Sequence, residues 1–325
     1  MSGPTLVTGG AGYVGVPVVE ELLKAGREVR VLDVLLHGQE AVAQALEGAG
    51  AEVLRFDIRD GEARRRALQG VDAVVHLAAI VGDPACAGQP ELSREVNLDG
   101  ARAVVADALA AGVRRLVFAS TCSNYGRMAD PTVPVDEGTE LRPVSLYAAQ
   151  KVEIEEMLLG AAPDGLEPVC LRFATVYGVA PRMRFDLTVN EFTLHLWSGR
   201  ELEVFGEQFW RPYIHVRDAA RAVRCVLASS SEQVAGEVFN TGSSKENYRK
   251  LDLVEKIREQ VEGGEVTFVK RDEDPRDYKV SFEKIRSRLG FEPASAVRDG
   301  VNEVVSALEA LAFPEPFSSH YRNVP

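Results

Sequence analysis

Residues 5–15 read TLVTGGAGYVG, a short β-branched run carried into a helix-forming segment through Gly9, Gly12 and Gly15. Glycines at that spacing let the backbone turn tightly, come close to a pyrophosphate and pack the helix against the strand. The new helix then offers free N–H groups and the positive end of its dipole to the phosphates. A turn of this kind needs a strand before it and a helix after it, which confines the chain to βαβ units on a parallel sheet. Gly9, Gly12, Tyr13, Val14 and Gly15 are therefore expected to cradle a dinucleotide.

The rest of the first half has the matching rhythm. VRVLD, AEVLRFD, AVVHLAA, RLVFAS and PVCLRF are short and largely apolar throughout, as strands covered on both faces must be. Helices are expected at 16–25, 62–69, 96–111 and 145–159. The alternation predicts an α/β fold with a doubly wound parallel (Rossmann) sheet over residues 1–177 and a return strand near 236–242. After Gly178 shorter strands (LEVFG, PYIHV, EVTFVK) mix with helices expected at 185–198, 247–261 and 282–289. That predicts a smaller C-terminal α/β lobe over 178–325, packed at the carboxyl edge of the sheet where open α/β folds bind ligands.

Asp33 ends the second strand. A carboxylate there accepts hydrogen bonds from an adenosine ribose and repels a ribose phosphate, which favours NAD over NADP. Asp57, with Ile58 beside it, falls either at the adenine edge or at a loop cap.

Charge and cysteine usage narrow the partners. The 325 residues carry a net charge of -12, which repels a nucleic-acid backbone. The 4 cysteines lack the paired spacing of a metal site, and no run is long and apolar enough for a bilayer. A cytoplasmic protein bound to no metal, nucleic acid or membrane is expected.

Residues 120–151 hold the chemistry. Tyr147 and Lys151 are four apart, so they share one helical face, and a nearby ammonium together with a cofactor cation would stabilise the phenolate as a base. Thr121, at the end of the fifth strand, can hold the same substrate hydroxyl.

TGGAGYVG, HLAAIVGD, FASTCSNYG, SLYAAQK and RPYIHVRD together resemble an extended short-chain dehydrogenase/reductase of the sugar-nucleotide epimerase and dehydratase group, over nearly the whole chain. The resemblance implies Tyr147 as base, Lys151 lowering its pKa and holding the nicotinamide ribose, and Thr121 as hydroxyl partner. It also implies Leu77, Ala78 and Ala79 lining the cofactor channel, Asn97 ordering it, and a homodimer built on the helices that contain Asn97 and Tyr147.

For a nucleoside-diphosphate-sugar substrate the resemblance implies contacts from Asn190 and Arg211, and from either Arg271 or Arg276. Ser123 and Thr175 stand at substrate-side positions, and Thr175 replaces an asparagine common in the family. The family's 4,6-dehydratases carry an Asp-Glu pair after the threonine, where this chain has Cys122 and Ser123. The leading expectation is therefore an NAD-dependent 4-epimerase working through a transient 4-keto sugar. The alternatives are a dehydratase or 3,5-epimerase using Cys122 as proton donor, a 4-keto-sugar reductase, and a non-catalytic NAD-binding module. His76 and His215 are expected to be structural.

Overall fold

The structure is a computed structural model that describes residues 3–162, 165–269 and 276–323. Its strands are β1 Thr5–Thr8, β2 Val29–Leu32, β3 Glu52–Leu54, β4 Ala73–His76, β5 Arg115–Thr121, β6 Glu167–Phe173, β7 Thr175–Tyr177, β8 Leu202–Phe205, β9 Trp210–His215, β10 Glu237–Thr241, β11 Asn247–Arg249 and β12 Val266–Val269. Seven form one sheet in the order β10-β6-β5-β4-β1-β2-β3, and every pairing in it is parallel. The order reverses between β1 and β4, which opens a crevice beyond the strands' carboxyl ends.

Period-two alternation sends neighbouring side chains to opposite faces. Leu6, Val74 and Leu116 pack with Val104, Val105, Ile154 and Leu158 of helices Gly100–Ala110 and Leu146–Gly160. Val7, Val75 and Val117 pack on the other side with Val16, Val19 and Leu22 of helix Gly15–Lys24, and with Ala219, Val223 and Val226 of helix Val216–Ala228. The sheet is buried on both faces, which is why its strands read as apolar runs rather than alternating ones.

The second lobe combines a three-stranded sheet, β11-β9-β7, with the pair β12-β8. Helices Thr188–Trp197, Lys250–Arg258 and Val297–Glu309 cover them around Tyr177, Val189, Leu202, Tyr213, Leu253 and Val301.

Three local expectations change. The helix expected from residue 247 starts at Lys250, because Asn247–Arg249 pairs antiparallel with β9 and the Asn247 amide bonds both backbone groups of Val280. The helix expected over 96–111 opens instead as a wide π-helical turn, Arg94–Asp99, before Gly100–Ala110. Helix Val216–Ala228, with its buried residues three and four apart, was not anticipated.

The glycine turn carries the tightest contact between helix and strand. A Cβ on Gly15 would lie 2.2 Å from the Gly9 carbonyl oxygen, a contact that only backbone movement relieves. Gly15→Ala is therefore expected to destabilise the protein by about 1–3 kcal/mol, seen as a lower urea midpoint. An unchanged midpoint would mean that the helix is not seated on the turn.

Candidate active site

One cavity runs along the carboxyl edge of the sheet, and the glycine turn forms part of its wall. Gly9 has φ +71°, and a Cβ there would meet the Ala78 nitrogen at 2.7 Å. Gly9 and Gly15 are thus consumed by packing, whereas Gly12 has only the Gly9 carbonyl near its missing Cβ, at 3.2 Å. Helix Gly15–Lys24 begins after Val14 with no side-chain cap; the Val16 N–H returns to the Gly12 carbonyl at 3.1 Å and Pro17 has no N–H, so what the turn can offer a phosphate is the N–H groups ahead of Val16.

Asp33 lines the same cavity but has more to do than meet a ribose. Its Oδ2 accepts the Ala11 N–H at 2.9 Å and its Oδ1 accepts the Leu35 N–H at 2.9 Å. The carboxylate therefore fixes the turn and the β2 exit, and each oxygen keeps a lone pair for ribose hydroxyls. Burial pushes its pKa upward, with the two backbone donors opposing the shift.

Asp57 and Ile58 line the cavity too. Asp57 is engaged by Arg59, through the backbone N–H at 2.8 Å and the guanidinium at 2.8 Å, so its carboxylate lies below the usual range. Leu77, Ala78 and Ala79 face the cavity, and Asn97 lies behind the segment that follows them. The Asn97 side chain accepts from the Ile80 N–H at 2.8 Å and donates to the Ile80 carbonyl at 3.1 Å and to Gln150 at 2.9 Å. The wide turn at Arg94–Asp99 is what carries this side chain.

At the other end of the cavity stand Thr121, Tyr147 and Lys151. Helix Leu146–Gly160 starts at Ser145, whose hydroxyl accepts the Ala148 N–H at 3.2 Å. Lys151 is buried, donates to the Ala119 carbonyl at 2.7 Å, and sits 4.5 Å above the Phe118 ring and 5.7 Å from the Tyr147 ring. Burial lowers its pKa to about 8. Thr121 accepts the Ser123 N–H at 3.1 Å, which closes the short helical turn after β5.

The expected lowering of the Tyr147 pKa is not found in the protein by itself. Burial, with Cys86 and Asp83 adding to it, holds the phenol above its ordinary value against the opposing charges of Arg184 and Arg276.

Several expected residues lie elsewhere. Cys122 is buried under the strand end, with its thiol donating to the Arg172 carbonyl at 3.1 Å, and burial raises its pKa. It does not line the cavity, so the thiol-assisted elimination lacks its acid. Asn190 is fully buried and clasps the Gly178 N–H at 2.9 Å and the Arg184 carbonyl at 2.9 Å, so it builds a loop rather than reaching a diphosphate.

Arg211 is buried, and its guanidinium donates to the carbonyls of Trp210 and Arg276. Arg276 donates to Ser123 at 3.2 Å and pairs with Asp83 at 2.9 Å, which joins the two lobes beside Tyr147. Thr175 opens β7 and does line the cavity. Arg271 lies outside the described residues. His76 is buried against Phe118, with Thr8 at 2.8 Å, and His215 pairs with Glu303 at 2.8 Å.

The second lobe's share of the wall was missed. Arg182, Arg184, Leu187 and Asn323 all face the cavity. Two arginines two residues apart, just after the Gly178 break, were the available signal. Among the described residues no cluster could hold a metal ion and no helix is long and apolar enough to cross a membrane.

These features define a dinucleotide-binding α/β protein with a tyrosine, a lysine and a threonine hydroxyl grouped at the edge of its sheet. The chain belongs to the NAD dependent epimerase/dehydratase family, whose pattern matches residues 5–242. It is 33% identical to a UDP-glucose 4-epimerase of Streptomyces lividans, over 91% of this chain and 93% of that one. It aligns at a TM-score of 0.83 and 28% identity with a Thermus thermophilus UDP-glucose 4-epimerase complexed with NAD, covering 94% of this chain and 99% of that one. A dTDP-glucose 4,6-dehydratase of Streptomyces venezuelae with NAD bound aligns at 0.85 and 28% identity, covering 97% and 100%. The chain is thus an enzyme-family member with NAD as cofactor, and its residues fit that group: Gly12 leaves room for a pyrophosphate, and the buried Arg182 Nε has no hydrogen-bond partner among the described residues.

Lys151 gives a test of the site's electrostatics. Its folded pKa of about 8 lies below the ordinary 10.5, so between these values the unfolded chain binds more protons and stability rises with pH. Without nucleotide, Lys151→Met is expected to stabilise the protein at pH 7 by on the order of 1–3 kcal/mol, an advantage that shrinks from pH 8 and is gone above 10.5. Denaturant unfolding across that range checks it; a pH-independent loss of stability would contradict a buried charge.

Proposed function

We propose that the protein is a nucleoside-diphosphate-sugar 4-epimerase that oxidises carbon 4 of the sugar to a ketone and reduces it again on the other face. The observation that carries this reading is that Thr121, Tyr147 and Lys151 share one cavity with the glycine turn, while the position after Thr121 holds a buried thiol instead of a carboxylate. The similarity to UDP-glucose 4-epimerases over most of the chain supports it and makes UDP-glucose the first substrate to try.

When bound, NAD supplies the hydride acceptor and, once reduced, the donor. In this reading Thr121 holds the carbon-4 hydroxyl and Tyr147 takes its proton as the hydride leaves. Lys151, pinned to Ala119, sets the height of the helix and would hold the nicotinamide ribose and contribute positive charge to the site when the cofactor is bound. After the keto sugar has turned over, Tyr147 gives the proton back. Eliminating water from such a 4-keto sugar, with the proton leaving carbon 5 and the hydroxyl leaving carbon 6, needs a second acid and base, and the short segment after Thr121 offers neither a carboxylate nor an accessible thiol.

The substrate's diphosphate is assigned to the junction of the lobes, where Arg276 meets Ser123 and Arg211 backs the Arg276 carbonyl. We further propose that residues 1–177 with the 236–242 strand bind the cofactor, that the rest mainly binds substrate, and that the protein is a cytoplasmic homodimer. The side-by-side helices Gly100–Ala110 and Leu146–Gly160, bridged by Arg102 and Glu153, support a four-helix contact, and light scattering on the purified protein tests it.

The reaction is tested with UDP-, GDP-, CDP- and dTDP-sugars and NMR of the products. Inversion at carbon 4 with one of them is expected, and Tyr147→Phe should lower the rate by about 10²–10⁴-fold while NAD stays bound. A dehydrated product, or binding of NAD with no turnover of any sugar nucleotide, would overturn the proposal.

A further inference from the structure

The loop over residues 178–187 crosses from the second lobe to the glycine turn and is held from both sides. Tyr13 donates its hydroxyl to the Gly178 carbonyl at 2.7 Å. Gly178 has φ +103°, and a Cβ there would strike His215 Nε2 at 2.3 Å, so the loop leaves β7 in a conformation and a space that suit only glycine. Asn190 ties the Gly178 N–H to the Arg184 carbonyl. From the far side the C-terminal segment straps the loop down: the Phe185 N–H donates to the Tyr321 carbonyl at 2.8 Å, the Asn323 N–H donates to Asp186 at 3.0 Å, and Phe185 packs edge-on against Phe313 and Tyr321.

This rigid loop carries two guanidinium groups to the cavity wall. That of Arg184 is neutralised by Asp186, through two contacts of 2.9 and 2.8 Å. That of Arg182 is not. It is 6% exposed, makes no ion pair among the described residues, donates one hydrogen bond to the Arg322 carbonyl at 3.3 Å, and leaves its Nε without a partner. Burial lowers its pKa only to about 10, so it is charged at neutral pH. The carboxylates of Asp186 and Asp33 bear on it only at longer range, Asp186 being paired with Arg184 and neither forming an ion pair with Arg182 among the described residues. A buried cation with an unsatisfied donor is costly unless something in the cavity answers it.

We propose that Arg182 is a cofactor-retention residue whose guanidinium, brought across from the second lobe, is the counter-charge for the diphosphate of the bound dinucleotide. The glycine turn offers backbone N–H groups from one side, and Arg182 closes the diphosphate from the other. A planar guanidinium suits phosphate oxygens, and here it is fixed in place before the ligand arrives. Retention has a use at this site. A hydride parked on the cofactor while the sugar turns over is lost if the reduced dinucleotide leaves, so a clamp supplied by the substrate lobe keeps the two half-reactions on one molecule. The assignment does not depend on which sugar reaction follows.

Nucleotide-free protein is titrated calorimetrically with NADH, ADP, adenosine and NADP, using the parent, Arg182→Gln and Arg182→Lys, with thermal melts as folding controls. Arg182→Gln is expected to weaken NADH and ADP tenfold or more and to leave adenosine within twofold, and Arg182→Lys to recover part of the loss. Equal NADH and ADP affinities in parent and Arg182→Gln would overturn the proposal. So would an equal loss of adenosine, which would make the residue a shaper of the pocket. A preference of the parent for NADP that Arg182→Gln removes would put the group on a ribose phosphate and overturn the diphosphate assignment. If Arg182→Gln does not fold, the arginine Nε–H resonances of the parent decide: one is expected to shift with ADP and not with adenosine, and no shift with either refutes the clamp.

Discussion

A lysine ammonium buried beneath the end of β5 fixes the geometry on which the site depends. Lys151 gives one N–H to the Ala119 carbonyl at 2.7 Å and has no ion-pair partner among the described residues. An α-helix brings every fourth side chain to nearly the same face, so this contact sets the positions of its neighbours on that face. One turn on, Glu155 pairs with the buried Arg172 of β6 at 2.7 Å and accepts from Asn124 at 3.0 Å. One turn back, Tyr147 meets the cavity. The helix is thus bolted to two strands at 155 and 151, and its phenol is delivered to the strand end that carries Thr121.

The same economy joins the lobes. Each major cavity wall in the first lobe has an answer from the second: Tyr13 of the glycine turn holds Gly178, Asp83 pairs with Arg276, and the roof of residues 178–187 carries Arg182 and Arg184. The lobes therefore share one site rather than meeting across a linker. The charge distribution agrees, since this acidic chain, with a net charge of -12, places Arg182 and Arg184 on the cavity wall.

Much of the sheet was legible because its physics is local. Strands buried on both faces must be apolar throughout, the glycine spacing has few other uses, and a tyrosine four residues before a lysine shares its helical face. Asp33 was legible as a residue of the turn, although its first duty is to Ala11 and Leu35. What escaped is decided by distant parts of the chain. Cys122 follows Thr121 by one residue, and alternation turns it into the core against the Arg172 carbonyl. Asn190, on helix Thr188–Trp197, is spent on tying the loop before it, and no spacing announces that Arg322 and Asn323 return to residues 182 and 186. The strand at Asn247–Arg249 exists because β9 and Val280 are there to pair with it.

The central claim is that one alcohol carbon loses a hydride and regains it while the nucleotide sugar stays bound. The most direct measurement follows a deuteron placed on carbon 4 of UDP-glucose, read by NMR of the product after turnover in ordinary water. Retention of the deuteron on carbon 4 of the inverted sugar, in the same molecule, is the predicted result. Its appearance on carbon 6, or its exchange with water, would contradict the account.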